Sequence, residues 1–393
     1  MPSPAGLPHS VRPEAYVRLH YLDWLRVLAI VGVFLFHAVH PFDFFGWHIK
    51  NAEKSMAVTV FIAFFAPWGM PFFFMMAGAG SWFALQRRTA RLYLRERFTR
   101  LLIPFIAGSI LLMPVMLYFE WRHGIWTGSL RDPFLQYALS REVDYGPGFF
   151  AWAGYHLWFL GFLFSFSLIT LPLFLWLKGE KGRAVLSAFA RWCERRGGIL
   201  IVIVPLLLVQ LALRPFFPDE HNMADFVFRM SFFVLGFMLF ADERFARAIK
   251  RDWPSVLAVG IASLAGLLMM LAAGMVAWLE TPSLPGFYLL WSLITIDGWC
   301  WSIVALFLGM RLLNFSNRWL RYGQEAVLPL FVVHQPEIIV LAFYVVQWNA
   351  SISGKLPVVV LGSLAVSVGL YELIIKRIDP LRPLFGMKPL RSR

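Results

Sequence analysis

An all-α, polytopic integral membrane protein is the fold class this sequence predicts, on three observations. The first is composition. Of 393 residues, 59% are hydrophobic and only 15% charged, where a soluble chain is about half apolar and a quarter charged. A soluble core does not hide that much apolar surface. The second is that apolar runs near the ~20 residues that cross a bilayer as a helix recur along the whole chain. The third is that Phe, Trp, Tyr and Leu fill these runs without strand-like alternation, so helices are preferred to a barrel. The same numbers exclude intrinsic disorder and collagen-like structure. The two cysteines, Cys193 and Cys300, exclude a disulfide scaffold.

Taken in order, ten spans are expected, at residues 22–40, 57–85, 101–119, 156–177, 199–213, 226–241, 255–278, 287–310, 326–347 and 356–375. The fifth and sixth are the shortest. Before the first lies a segment, 1–20, with Pro2, Pro4, Pro8 and Pro13 and no apolar stretch, which does not read as a signal peptide. The expected division is a cytoplasmic N-terminal segment 1–20, a transmembrane domain 21–378 and a basic cytoplasmic tail 379–393.

The net charge of +13 would ordinarily raise nucleic-acid binding. In so apolar a chain it is read instead as an orientation signal, and no nucleic-acid partner is expected. With the N-terminus in the cytoplasm and ten alternating spans, 27 of the 36 Lys and Arg fall on the cytoplasmic side and 7 outside, leaving Arg26 and Arg229 within spans. Every cytoplasmic loop then obeys the positive-inside rule, and both termini are expected in the cytoplasm. The largest outside loop, 120–155, holds Asp132, Glu142 and Asp144 with Trp121, Trp126 and Trp152. It reads either as a functional loop or as an interfacial aromatic cap.

Charge inside a span costs at least a few kcal/mol and is a functional hypothesis by default. Arg26 and His37 stand eleven residues apart in the first span. At 100° per residue they fall about 20° beyond three full turns, on one helix face, about 16 Å apart along the axis. Asp23 lies one turn before Arg26 and can pair with it. Arg26 reads as a snorkelling anchor or as a functional cation. His37 reads as an inter-helix hydrogen bond or as a catalyst. In the ninth span, Leu328-Pro-Leu-Phe-Val-Val-His334-Gln-Pro-Glu337 sets His334 one turn from Glu337. There Pro329 and Pro336 interrupt the helical ladder, a backbone tolerated where it lines a cavity. Arg229 and Asp297 add further charge within spans.

Six arginines fall between Arg87 and Arg100 at the cytoplasmic approach to the third span. Much of this is topology signal and anionic-lipid contact. Arg97 and Arg100, one turn apart, also present two guanidiniums together, suited to a phosphate-bearing cosubstrate. The chain has no P-loop, no metal-type ligand spacing, no nucleophile elbow and no dinucleotide-binding glycine pattern. No metal site is therefore expected.

These residues resemble the membrane acyltransferase 3 family. Asp23-Trp-Leu-Arg26, ten residues, then His37 looks like its Arg-x10-His signature. Arg97-Phe-Thr-Arg100 with Pro104 looks like its Arg-x-x-Arg motif. Met70-Pro-Phe-Phe-Phe-Met-Met-Ala-Gly78, His156-Leu-Trp-Phe-Leu160 and Leu330-Phe-Val-Val-His334-Gln-Pro336 resemble three more. The end of the chain, Leu370 to Lys388, is similar to the subgroup that includes the glucan biosynthesis protein C succinyltransferase. Together the motifs cover nearly the whole chain.

The resemblance implies acyl transfer from cytosolic acyl-CoA, acetyl or succinyl, to a hydroxyl of an extracytoplasmic glycan or other carbohydrate, at the inner membrane. It implies catalytic roles for His37 and Arg26 and acyl-donor binding by Arg97 and Arg100. Asp23, His334, Glu337 and Arg229 are the candidates for the substrate cavity. The expected partners are the lipid bilayer, acyl-CoA as cosubstrate with no bound cofactor, a carbohydrate acceptor and glycan-synthesis proteins. The rival reading is a transporter or flippase, since buried charge on Pro-interrupted helices also suits a substrate path. Against it, the two halves carry no inverted repeat. A membrane sensor is a third reading, and it would tolerate loss of His37.

Overall fold

The computed structural model describes residues 19–125, 154–275, 279 and 281–390. Among these, every regular element is helical. Helix α1 runs His20–Val39 and ends in one 3-10 turn, His40–Phe42, at Pro41. Helix α2 is Met56–Arg87 and α3 is Ala90–Arg122. The next span is bent, with α4 (Tyr155–Ile169) and α5 (Leu171–Lys178) meeting at 49°. Helices α6 (Glu180–Cys193) and α7 (Gly198–Leu213) meet at 118°. Then follow α8 (Met223–Leu239), α9 (Glu243–Ala272), α10 (Pro285–Leu312), α11 (Arg318–Val345), α12 (Ile352–Ile375) and the short α13 (Leu381–Leu384).

Among the described residues, seven helices are long and apolar enough to cross a membrane, or up to nine if each bent pair is one span. Among the described residues each of the ten expected runs lies on helix, but three differ from full-length spans. The fourth is kinked at Pro172, which cannot donate to the ladder. In the fifth, α7 is preceded by an amphipathic helix that folds away from it. Helix α6 buries Leu186, Ala190 and Cys193 and leaves Arg183 and Arg191 exposed, a pattern suited to an interface. The left-handed Gly197 (φ 72°) makes the corner between the two. The sixth, α8, has 17 residues. The seventh helix begins earlier than its apolar run, at Glu243.

Large apolar side chains such as Ile110, Leu208, Met269 and Leu361 are more than half exposed. Such a surface suits lipid rather than water. Together with the long apolar helices, it makes this a multi-pass membrane protein. Inside, the core is aromatic. Phe74, Phe159, Phe162, Phe166, Phe226 and Phe233 pack edge-to-face or tilted, and Phe174 and Phe237 stack in parallel at 3.9 Å.

Helices α2 and α8 cross so closely that glycine is required on both. A Cβ at Gly78 would lie 1.9 Å from the Phe233 carbonyl oxygen, and one at Gly236 would lie 2.0 Å from that of Met75. Small residues letting backbones approach is the usual basis of helix association in lipid. This crossing holds the Met70–Gly78 motif against α8 and turns Phe73, Met76 and Gly80 toward the cavity described next.

Candidate active site

Thr89 caps α3 by accepting from the Leu92 backbone N–H at 3.3 Å, so the arginine-rich segment is helical from Ala90. A π-helical stretch, Phe98–Leu102, follows, with Ile103 N–H donating five residues back to the Phe98 carbonyl. Pro104 explains it, because Pro has no N–H for the Arg100 carbonyl. Such π segments are frequent at functional sites. This one carries Arg100 one turn after Arg97.

A cavity of about 410 Å³ opens there. It is lined by Asp23 and Arg26 of α1, Gly80 of α2, Tyr93, Arg97 and Arg100 of α3, Phe159 of α4, and Gln324, Leu328 and Phe331 of α11. The two sequence motifs therefore meet in one space. Arg26 Nη1 donates to Asp23 Oδ1 at 3.3 Å and Nη2 to the Met76 carbonyl at 3.4 Å. Gly80 leaves room for the guanidinium, since a Cβ there would lie 2.8 Å from Arg26 Nη2. Arg97 donates to Ser81 Oγ at 3.0 Å and covers the Tyr93 ring at 4.9 Å.

Phe331 also lines this cavity and borders a cluster of imidazoles. Its ring centroid is 5.6 Å from that of His334 and 6.2 Å from that of His156. His334 stands 5.3 Å from both His37 and His156. Arg26 and His37 thus both lie on the side of α1 that meets α11, one at the cavity and one at the imidazoles. Among the described residues, no group of three His, Cys, Asp or Glu side chains is arranged to hold a metal ion.

The backbone sets two of these tautomers. Helix α11 is continuous through Pro329 and Pro336, which interrupt its hydrogen-bond ladder without ending the helix. The local consequence of Pro336 remains, because it offers no N–H to the Val332 carbonyl four residues back. That carbonyl instead accepts from His156 Nε2 at 2.9 Å. His334 Nδ1 donates to the Phe331 carbonyl at 2.7 Å. A carbonyl only accepts, so each bonded nitrogen carries the proton. The opposite nitrogens, His156 Nδ1 and His334 Nε2, are then lone pairs. Both are buried without a hydrogen-bond partner, as is His37 Nδ1.

The remaining candidates stand elsewhere. Glu337, one turn past His334, faces α12 and accepts from Ser367 Oγ. Arg229 belongs to a buried ion network outside the cavity. Asp225 binds Arg229 Nη2 at 3.3 Å and also contacts Arg214, which is fully buried. The Arg229 guanidinium covers Trp158 at 4.3 Å and that of Arg214 covers Trp291 at 3.8 Å. Burial first, and the Arg229 charge second, push the neighbouring loop residue His221 down to about 3. Asp297 is fully buried and accepts from Trp301 Nε1 at 2.9 Å.

Sequence reasoning missed the layer beyond His37. His40 contacts Asp43, and Lys50 Nζ donates to Asp43 Oδ1 at 2.8 Å and to the His40 carbonyl at 2.6 Å. Burial lowers the Lys50 pKa, and Asp43 opposes that shift. Trp47 stacks on His40 at 5.5 Å and lies 6.3 Å from His37. The signal was present as a polar and aromatic turn, Asp43 to Lys50, directly after the first span. Of the 120–155 loop, Trp126, Asp132, Glu142, Asp144 and Trp152 lie outside the described residues.

An acyltransferase domain model matches residues 19–372. Among curated proteins, the glucans biosynthesis protein C of Escherichia coli O81 (strain ED1a) is 25% identical over 417 residues, covering 98% of each chain. That of Escherichia coli (strain K12 / DH10B) is 25% identical over 419 residues, again covering 98% of each. No solved structure matches. The match along nearly the whole chain means that this protein belongs to the acyltransferase 3 family.

Proposed function

We propose that this protein moves an acetyl or succinyl group from cytosolic acyl-CoA to a hydroxyl of a glucan outside the inner membrane. The single observation that carries the reading is the cavity shared by Arg26, Arg97 and Arg100, whose lining includes Phe331, a neighbour of the imidazole cluster. Guanidiniums suit the phosphates of coenzyme A. They stand at the basic end of the bundle, which the positive-inside rule assigns to the cytoplasm. The imidazoles lie about 16 Å further along α1, toward the side where a glycan resides. The relatives named for glucan biosynthesis support the acceptor class.

In this reading the head group of acyl-CoA rests near Arg97 and Arg100 and its arm runs toward Phe331. His37 accepts the proton of the acceptor hydroxyl while the oxygen bonds to the thioester carbonyl carbon. The C–S bond then breaks, and the leaving thiolate takes up the proton that His37 accepted, which restores the neutral imidazole. Arg26 orients the donor or stabilises charge on the acyl oxygen. Residues 1–20 and 379–393 flank the transmembrane domain 21–378 on the cytoplasmic side. Glycan-synthesis proteins supply the acceptor.

The test is mass spectrometry of envelope glucans from cells with and without the protein. An ester mass lost with the protein, and lost again in His37→Ala at matched expression, is the expected result. The drop in transfer should be about 10²–10⁴-fold, the usual range for a general base. Unchanged esterification in His37→Ala would overturn the assignment.

A further inference from the structure

Four separate segments converge on one imidazole that the mechanism above does not use. His48 lies in the 43–55 turn, Glu120 in the last turn of α3, Tyr155 at the start of α4 and Gln335 on α11. Glu120 Oε1 contacts His48 Nδ1, and Tyr155 Oη donates to Glu120 Oε2 at 3.0 Å. Gln335 Nε2 lies 2.8 Å from His48 Nε2. The Tyr155 ring stacks on His48 at 5.5 Å, and Tyr155 itself holds a left-handed backbone (φ 49°). A non-glycine residue in that region costs free energy and persists where the surroundings over-determine it, commonly at ligand sites.

The chemistry of the cluster is directional. An amide nitrogen only donates, so Nε2 of His48 accepts from Gln335 and Nδ1 faces the Glu120 carboxylate. A sugar hydroxyl donates in the same sense and can take the place of the amide. The His48 side chain is 22% exposed whereas that of Glu120 is 3% exposed, so the imidazole is reachable and its orienting carboxylate is not. Trp47 connects this point to the reaction site, with its ring 5.1 Å from His48 and 6.3 Å from His37. An aromatic face beside a hydrogen-bonding group is a suitable platform for a pyranose ring. Gln335 follows His334 directly, so α11 places one residue in each cluster.

We propose that His48, oriented by Glu120 and Tyr155, is the acceptor subsite. It receives a hydrogen bond from one hydroxyl of the carbohydrate, and the ring rests on Trp47 with a neighbouring hydroxyl at His37. His48 binds and positions the acceptor, and no bond to it is made or broken. The inference rests on the acyl-transfer reading.

The experiment varies acyl-CoA and glucan oligosaccharide independently with the purified full-length protein. His48→Ala should raise the KM for the oligosaccharide about tenfold, the effect of one well-made hydrogen bond plus its orientation. The KM for acyl-CoA should stay within about twofold. His48→Gln, which keeps an acceptor oxygen, should recover part of the loss. Tyr155→Phe, which deletes only one hydroxyl, should raise the oligosaccharide KM by a smaller factor. An unchanged oligosaccharide KM in His48→Ala would overturn the subsite. If that variant does not accumulate, an unchanged oligosaccharide KM in Tyr155→Phe would do so. Both KM values rising together would also overturn it, because that marks a structural brace. Should His37→Ala transfer normally as well, the acyl-transfer reading itself has failed. With His37→Ala inactive and the His48 variants unaffected, only the subsite fails.

Discussion

Two sets of arginines occupy this bundle and differ in what surrounds them. At the basic end, Arg26, Arg97 and Arg100 line one cavity from two helices, and the Arg26 side chain is 36% exposed. Near the other end, Arg214 has 0% side-chain exposure, and it shares Asp225 with Arg229. Each guanidinium of the second set is also stacked on an indole. The first set lines an open cavity besides contacting its own protein, whereas the second is enclosed by its own protein. A cation within a span is therefore informative only once its surroundings are known.

The comparison is most strongly tested at Asp225. Asp225→Asn would leave two buried guanidiniums without their shared carboxylate, and breaking a buried pair costs about 3–5 kcal/mol. The expected result is a large fall in the thermal unfolding midpoint in detergent. An unchanged midpoint would mean that the Arg214–Arg229 network is not structural. A smaller effect is expected at Pro336. Pro336→Ala restores an N–H that competes for the Val332 carbonyl and displaces His156 Nε2. Transfer should fall about threefold to tenfold, the scale of one hydrogen bond, while the helix gains one. Unaltered transfer would remove the Val332 bond from the account of the imidazole cluster. The smallest effect is expected at Gly80. The methyl of Gly80→Ala meets only the end of the Arg26 side chain. Unfolding should stay within about 0.5 kcal/mol of the parent, with the acyl-CoA KM raised a few-fold. A stability loss without a KM change would show that Gly80 serves packing rather than Arg26.

The sequence made some of this legible and hid the rest for identifiable reasons. Helical arithmetic is enough to set Arg26 and His37 on one face, because it needs only the 100° step within a single helix. The helical character of the spans follows from their apolar runs. The number of full crossings does not, since the bend between α6 and α7 depends on how that amphipathic helix packs. The bond from His156 to the Val332 carbonyl joins residues 176 apart in the chain and exists because a proline four residues on frees the acceptor. Glu337 and Arg229 read like His334 and Arg26 as ionisable residues within spans, yet their partners are Ser367 and Asp225. His48 and Glu120 sit in a turn and at a helix end, where no periodic pattern marks them.

The central claim is that the arginine cavity binds the donor and the imidazole cluster performs the transfer. Binding of a labelled, non-hydrolysable acyl-CoA analogue to the purified protein tests it most directly. In Arg97→Ala/Arg100→Ala, affinity should fall about tenfold to a hundredfold, as expected for lost charge-assisted hydrogen bonds. In His37→Ala, affinity should be unchanged although transfer falls about 10²–10⁴-fold. Intact donor binding in the double arginine variant, or lost donor binding in His37→Ala, would contradict the account.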